Sequence, residues 1–219
     1  MNSLATSTGL VFALAGPLLI ASFGDNLFGN TDSLLSKIFQ QIVLATLSMM
    51  VVGIVLFWER QPLSSIGLHQ LNWQSILWGL IFAGFLSFIY APFLIRVINQ
   101  LGWAGFENGL AKLSPLPTGY LVFAVGIGGI VEEVLYRGYA TERLSLLTGS
   151  YWLGSLLSLV AFGLAHVPLW GWLPAVTTVL SGGLLTLFYL ATGDLLTAII
   201  AHIVTDSVGI VIPKMMHPE

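Results

Sequence analysis

Gly129-Ile130-Val131-Glu132-Glu133-Val134-Leu135-Tyr136-Arg137-Gly138 is the stretch that decides how this chain is read. Two glutamates and an arginine sit inside a sequence that otherwise avoids charge. Only 8% of the 219 residues are charged and 56% are hydrophobic, with a mean hydropathy of +0.91. That is too apolar for an ordinary soluble domain. Each ionised side chain at the middle of a bilayer costs roughly 2.5–3.5 kcal/mol. Three together, unpaired, cost on the order of 10 kcal/mol. A membrane helix carries such a cluster where it lines a polar cavity and performs a task.

Outward from this stretch, apolar segments of about 20 residues recur, the length that crosses a bilayer as a helix. They fall at 9–23, 38–58, 73–95, 118–147, 151–167, 172–191 and 195–212. The pattern predicts an all-α, polytopic membrane bundle of about seven helices, residues 1–219 forming one integral membrane domain. The segment 118–147 is longer than one crossing and holds the acidic cluster in its second half. Pro168 and Pro213 are expected to stop the fifth and seventh spans. The first span has no positive charge before Asp25, unlike a cleaved signal peptide. Glu59-Arg60 and Glu142-Arg143 read as interfacial pairs at span ends. Residues 63–73 read as a loop, and 100–117 as a long polar connection holding Glu107 and Lys112, with room for an interfacial helix. Trp58, Trp73, Trp103, Trp152, Trp170 and Trp172 fall near span ends, as an aromatic belt requires. The glycine pairs at 128–129 and 182–183 predict close helix approach.

Net charge is −3, so nothing points to nucleic acid. No basic tail marks a docking site for anionic lipid. Lys37, Arg96, Lys112 and Lys214 share one side against Arg60 and Arg143 on the other, too small a bias to set orientation. Cysteine is absent, which removes disulfides and thiolate chemistry together.

Besides the cluster, two histidines fall in spans. His166 ends the run Phe162-Gly163-Leu164-Ala165-His166, and His202 opens His202-Ile203-Val204-Thr205-Asp206. Asp194 precedes a helix and reads as its N-cap. His69 lies in a loop and His217 in the tail. Glu133 and Arg137 are four apart with the glutamate first, the favourable order for an ion pair. Glu132 is rotated by about 100° from Glu133 and has no local partner. His202 and Asp206 share a helix face, and Phe162 sets a ring beside His166. Each group alone reads as a satisfied structural residue. A carboxylate, two imidazoles and an aspartate on three helices of one small bundle read as a single polar site.

Amide hydrolysis needs an activated nucleophile, a proton for the leaving nitrogen and a stabiliser for the oxyanion. Without cysteine, the nucleophile is water or a hydroxyl. A Gly-x-Ser-Gly motif is absent, since Val179 stands two residues before Ser181-Gly182. Gly-x-Gly-Asp is nearly present at Ala191-Thr192-Gly193-Asp194 but lacks its first glycine, and His-Glu-x-x-His is absent. Water activated by Glu132 remains. Glu132, His166, His202 and Asp206 are also an adequate donor set for zinc or a similar ion, so a metal-dependent version stays open beside a cofactor-free one.

Glu-Glu-x-x-x-Arg at 132–137, Phe-x-x-x-His at 162–166 and His-x-x-x-Asp at 202–206, in this order and each in an apolar helix, resemble the three motifs of the CAAX protease and bacteriocin-processing family. These are intramembrane glutamate proteases related to the Ras-converting CAAX endopeptidase. The resemblance spans about residues 63–209. It implies that Glu132 and His166 activate a water, that His202 and residue 206 stabilise the oxyanion, and that Glu133 and Arg137 support the site. The well-studied eukaryotic enzymes use asparagine where this chain has Asp206. An ionised aspartate repels an oxyanion, so Asp206 is either a protonated donor or the group that orients His202. The resemblance implies a peptide or protein substrate reaching the bilayer and a prokaryotic cytoplasmic membrane. It leaves oligomeric state open. Two other functions fit the composition: a non-catalytic immunity or scaffold protein of the same family, and a proton-coupled transporter, against which stands the lack of an inverted repeat.

Overall fold

The computed structural model describes residues 3–28, 33–103 and 112–216. Seven helices among them are long and apolar enough to cross a membrane. We number them α1 (Ser3–Phe28), α2 (Leu34–Trp58), α3 (Trp73–Gln100), α4 (Thr118–Thr148), α5 (Tyr151–Trp170), α6 (Trp172–Thr192) and α7 (Leu195–Met216). The described residues contain no strand. The chain is an all-helical, multi-pass integral membrane protein. Glu107 and His217, and most of the connection between α3 and α4, lie outside the described residues.

Helix starts follow local capping chemistry. The side chains of Ser33, Asn72, Ser150 and Asp194 accept from Ser36, Ser75, Leu153 and Leu196 backbone N–H groups. Each satisfies a donor that a helix N-terminus leaves open. Gly149 and Gly193 end α4 and α6 in the left-handed conformation. The resulting turns are short, so α4–α5 and α6–α7 pack as antiparallel neighbours. α5 and α6 are separated by Gly171 alone.

Prolines do not end helices where the sequence suggested. Pro168 lies inside α5, which runs on to Trp170, and α7 continues through Pro213 to Met216. Proline lacks the N–H that bonds to residue i−4 and crowds that carbonyl. In α7 the turn before Pro213, Ser207–Val211, is π-helical, and in α3 the turn Leu86–Tyr90 before Pro92 is π-helical too. The wider ladder takes up the missing bond, so both helices continue.

The bundle is apolar outside and polar inside, as a lipid solvent demands. Phe57 is 81% exposed and Phe88 72%, whereas Glu133 is fully buried. α4 is the central helix, touching α1, α2, α5 and α7. Its stretch Glu133–Ala140 is π-helical, and all eight residues are buried. The most charged turn of the chain therefore occupies its most enclosed place. Gly129 brings α7 close: a Cβ there would come within 2.6 Å of Ile203.

Candidate active site

Glu132 is the last residue of the first α-helical part of α4, and Glu133 begins its π-helical part. The two carboxylates diverge as the 100° rotation requires. Glu133 turns inward and is 0% exposed, while the Glu132 side chain keeps 29% exposure. Glu132 lines a cavity of about 570 Å³ walled by α3, α5, α6 and α7. His166, His202, Asp206 and Phe162 line the same cavity, as does Ser181. The sequence-predicted groups thus converge, from three helices, on one hollow inside the bundle.

The hydrogen bonds fix each ring. His166 Nδ1 lies 2.8 Å from the Phe162 carbonyl oxygen. That oxygen can only accept, so Nδ1 carries the proton and Nε2 is left for a ligand. The Phe162 ring sits beside the imidazole, with centroids 4.6 Å apart. His202 Nδ1 lies 2.7 Å from Glu133 Oε1 and donates to it. His202 Nε2 faces Asp206 Oδ2 at 3.4 Å and Glu132 Oε2 at 3.8 Å. One imidazole therefore stands among three carboxylates.

Glu133 supports this ring and does more than pair with Arg137. The expected ion pair is present, Arg137 Nη1 to Glu133 Oε1 at 3.0 Å. The same oxygen takes the His202 proton, a contact between helices that no spacing along the chain could suggest. Arg137 is held besides by the Gly182 carbonyl at 3.0 Å and Thr186 Oγ1 at 3.3 Å. Its guanidinium lies 4.2 Å over the Phe162 ring. Gly182 permits this, because a Cβ there would come within 2.7 Å of both Arg137 and Phe162. The second oxygen of Glu133 is buried without a partner.

One sequence reading is corrected. Glu142 and Arg143 do not form a solvated pair. Arg143 is buried and bonds to Glu59 Oε2 at 2.7 Å, while Glu142 accepts from Tyr189 at 2.7 Å and Tyr151 at 3.3 Å. Glu59, directly after the end of α2, is likewise buried, and its other oxygen accepts from Thr6 and Tyr139. Burial alone would raise the Glu59 carboxyl. Hydrogen bonds from Arg143, Thr6 and Tyr139, with the Arg143 charge, outweigh that and hold it below the ordinary carboxylate range. The Asp194 cap is as expected, and His69 is exposed in its loop.

The cavity runs toward the end of the bundle where Ile95, Leu113 and Trp170 line it. There Lys112 donates to the Leu169 carbonyl and Lys214 to that of Ser114, pinning the connection before α4 onto α5 and α7. Among the described residues, no three of His, Asp and Glu are grouped so as to hold a metal ion. The donor set proposed for zinc shares a cavity without forming such a group.

Residues 114–208 match the family model described as Rce1-like, Type II CAAX prenyl endopeptidase. The matched region contains all three motifs, and the match bears out the resemblance to the CAAX protease and bacteriocin-processing family. No curated protein and no solved structure gives a significant match to the chain.

Proposed function

We propose that this membrane protein, carrying the signature of a CAAX protease family over residues 114–208, is an intramembrane endopeptidase that hydrolyses a peptide bond with water activated by Glu132. The observation that carries the reading is the convergence of Glu132, His166, His202 and Asp206 on one cavity inside the bundle. Glu132 is the exposed member of the acidic pair, without a bond of its own to an arginine, so it is free to take a proton. His166 Nε2, left open by the Phe162 carbonyl, holds the second hydrogen of the water. As Glu132 takes the first, the water oxygen bonds to the scissile carbonyl carbon and the carbonyl electron pair moves to oxygen. When the tetrahedral adduct collapses, the C–N bond breaks and the proton passes from Glu132 to the leaving nitrogen. Water and amide become a carboxylic acid and an amine.

Glu133 orients His202, and Arg137 balances the Glu133 charge. The reading routes no step through a metal. It assigns Asp206 to holding His202, because a carboxylate 3.4 Å from Nε2 is an acceptor toward that ring.

The test is Glu132→Gln, which keeps shape and removes the base. With an internally quenched, prenylated peptide ending in a CAAX tetrapeptide, kcat should fall by roughly 100-fold or more. The variant should insert and melt like wild type. Cleavage at the wild-type rate would sink the assignment. Protection from a peptide toxin that survives this substitution would favour a binding protein instead. Full activity after chelation, with metal analysis of the same sample, is expected; loss restored by zinc would move the mechanism to a metal.

A further inference from the structure

The catalytic cavity adjoins a second hollow at its outer end. Pro92 and Ile95 line both, and Arg96, Asn99 and Gln100 complete the second, which is open and holds about 630 Å³. All five belong to the last stretch of α3, Ala91–Gln100, which has no extended packing against another described helix. Arg96, Asn99 and Gln100 stand at i, i+3 and i+4 on one helix face, with Pro92 a turn earlier.

Charge is unevenly placed around this mouth. Arg137 and Arg143 are spent in buried pairs with Glu133 and Glu59. Lys112 and Lys214, at the same end of the bundle as Arg96, each donate to a backbone carbonyl, which uses a proton and leaves the charge uncompensated. Arg96 is exposed and has no hydrogen-bond or ion-pair partner among the described residues. The carboxylates whose side chains are described lie elsewhere: Glu132, Glu133 and Asp206 at the site, and Glu59, Glu142 and Asp194 at the opposite ends of their helices. A peptide entering the cavity meets cations at the mouth and anions at the site. Glu132 and Asp206 repel a carboxylate of the substrate, and Arg96 attracts it.

α3 itself sets the separation. Leu86 packs with Leu185 and Ala201, the residue before His202, so it stands near the level of the site. From Leu86 to Arg96 a helix climbs about 15 Å, at about 1.5 Å per residue. The Arg96 side chain leans toward the helix N-terminus, and so back toward the site. A group held by Arg96 is therefore roughly three to five residues from the scissile bond, since an extended peptide advances about 3.3 Å per residue.

Resting on the peptidase reading, we propose that Arg96, with Asn99 and Gln100, is a specificity subsite: its guanidinium holds the C-terminal carboxylate of the substrate, and the two amides hold the last peptide groups. A guanidinium meets a carboxylate through two parallel hydrogen bonds. Each side-chain amide offers both a donor and an acceptor to a peptide. The subsite lies away from the reacting atoms and selects which bond reaches them.

The experiment compares the quenched, prenylated peptide bearing a free C-terminal carboxylate with the same peptide ending in a carboxamide. Wild type should favour the acid by about 5–10-fold in kcat/KM, the scale of one charge-assisted contact. Arg96→Gln should remove that preference by raising KM for the acid, with kcat within about twofold, because the contact is the same in ground and transition states. Arg96→Lys should restore part of it. Lengthening the segment beyond the scissile bond to about eight residues should erase the preference in wild type, because the carboxylate overshoots the subsite. Equal use of acid and amide by wild type overturns the proposal, as does a preference that survives the longer segment. An equal loss on both peptides in Arg96→Gln overturns it too; if that loss appears only in vesicles containing anionic lipid, Arg96 serves a phosphate headgroup instead. Binding of the two peptides to Glu132→Gln separates the subsite from the chemistry. Tighter binding of the acid there, with no cleavage by wild type, keeps the carboxylate site and discards the peptidase. No preference in binding or cleavage discards the subsite alone if wild type is active, and both if it is not.

Discussion

Two glutamate–arginine pairs are buried in this bundle, and they are built differently. In Glu59–Arg143, far from the cavity, every polar atom is used. One carboxylate oxygen accepts from Thr6 and Tyr139 and the other from Arg143, whose remaining nitrogens reach the backbone and hydroxyl of Ser65. In Glu133–Arg137, one carboxylate oxygen carries both the arginine and His202, and the other has no partner. The first network is closed and ties α1, α2 and α4 together. The second leaves one buried carboxylate oxygen unpaired and ends on an imidazole that lines the cavity. A saturated buried pair has nothing left to offer a ligand, whereas an unsaturated one transmits its charge to the next group. The difference separates structural charge from working charge in one helix, α4, which supplies both arginines.

The comparison breaks if the closed network proves dispensable. Glu59→Ala leaves Arg143 buried without a counter-charge, and breaking such a pair costs about 3–5 kcal/mol. Thermal unfolding in detergent should show the loss, while molecules that remain folded should cleave at the wild-type kcat. A fall in kcat without a fall in stability would mean that this network, too, feeds the site.

The open network should answer in the opposite sense. Glu133→Gln keeps an acceptor for Arg137 but frees the orientation of His202. Groups that orient metal-ligating histidines cost about 10–100-fold in activity when lost, and the same order is expected for His202. The expected result is a drop of that size in kcat, with a smaller change in melting than Glu59→Ala produces. Equal effects of the two substitutions on stability, with none on kcat, would remove the distinction drawn here.

The two networks also differ in how far the sequence betrayed them. Glu133–Arg137 could be read directly, because residues four apart on a helix meet. So could the seven spans, since hydropathy reports the bilayer requirement directly, and the grouping of His166, His202 and Asp206 with Glu132, which rests on charge being costly in lipid. Glu59–Arg143 could not. The partners are 84 residues apart, and each has an oppositely charged neighbour, Arg60 and Glu142, that invites a local pairing. Adjacent residues on a helix do not face each other, and that geometry was the available signal. The Glu133–His202 bond joins two helices and leaves no spacing to read. The π-helical turn Leu86–Tyr90 lies in an ordinary apolar span, and only the nearby Pro92 hinted that the helix there is irregular. Pro168 and Pro213 misled for the same reason, because a neighbouring π-helical turn or a position in the last turn absorbs what a proline removes.

Acid sharpens the comparison with the smallest effect. The Glu59 carboxyl lies outside the spans and is held below its ordinary value of 4.5 by Arg143, Thr6 and Tyr139, against the opposing pull of burial. A carboxyl depressed on folding binds protons more readily in the unfolded chain. Its stabilisation is therefore complete above the unfolded pKa and lost as pH falls through the folded one. Melting temperature should stay level across neutral pH as far as this group is concerned, and begin to fall only below about 4.5. Glu59→Ala should lack that acid component, since it has no proton to take up. The variant and wild-type curves should then converge as pH drops, the gap between them closing because wild type loses what the variant never had. Parallel curves down to the acid limit would show that Glu59 is not ionised in the folded protein, and the closed network would have to be redrawn as hydrogen bonds to a neutral acid.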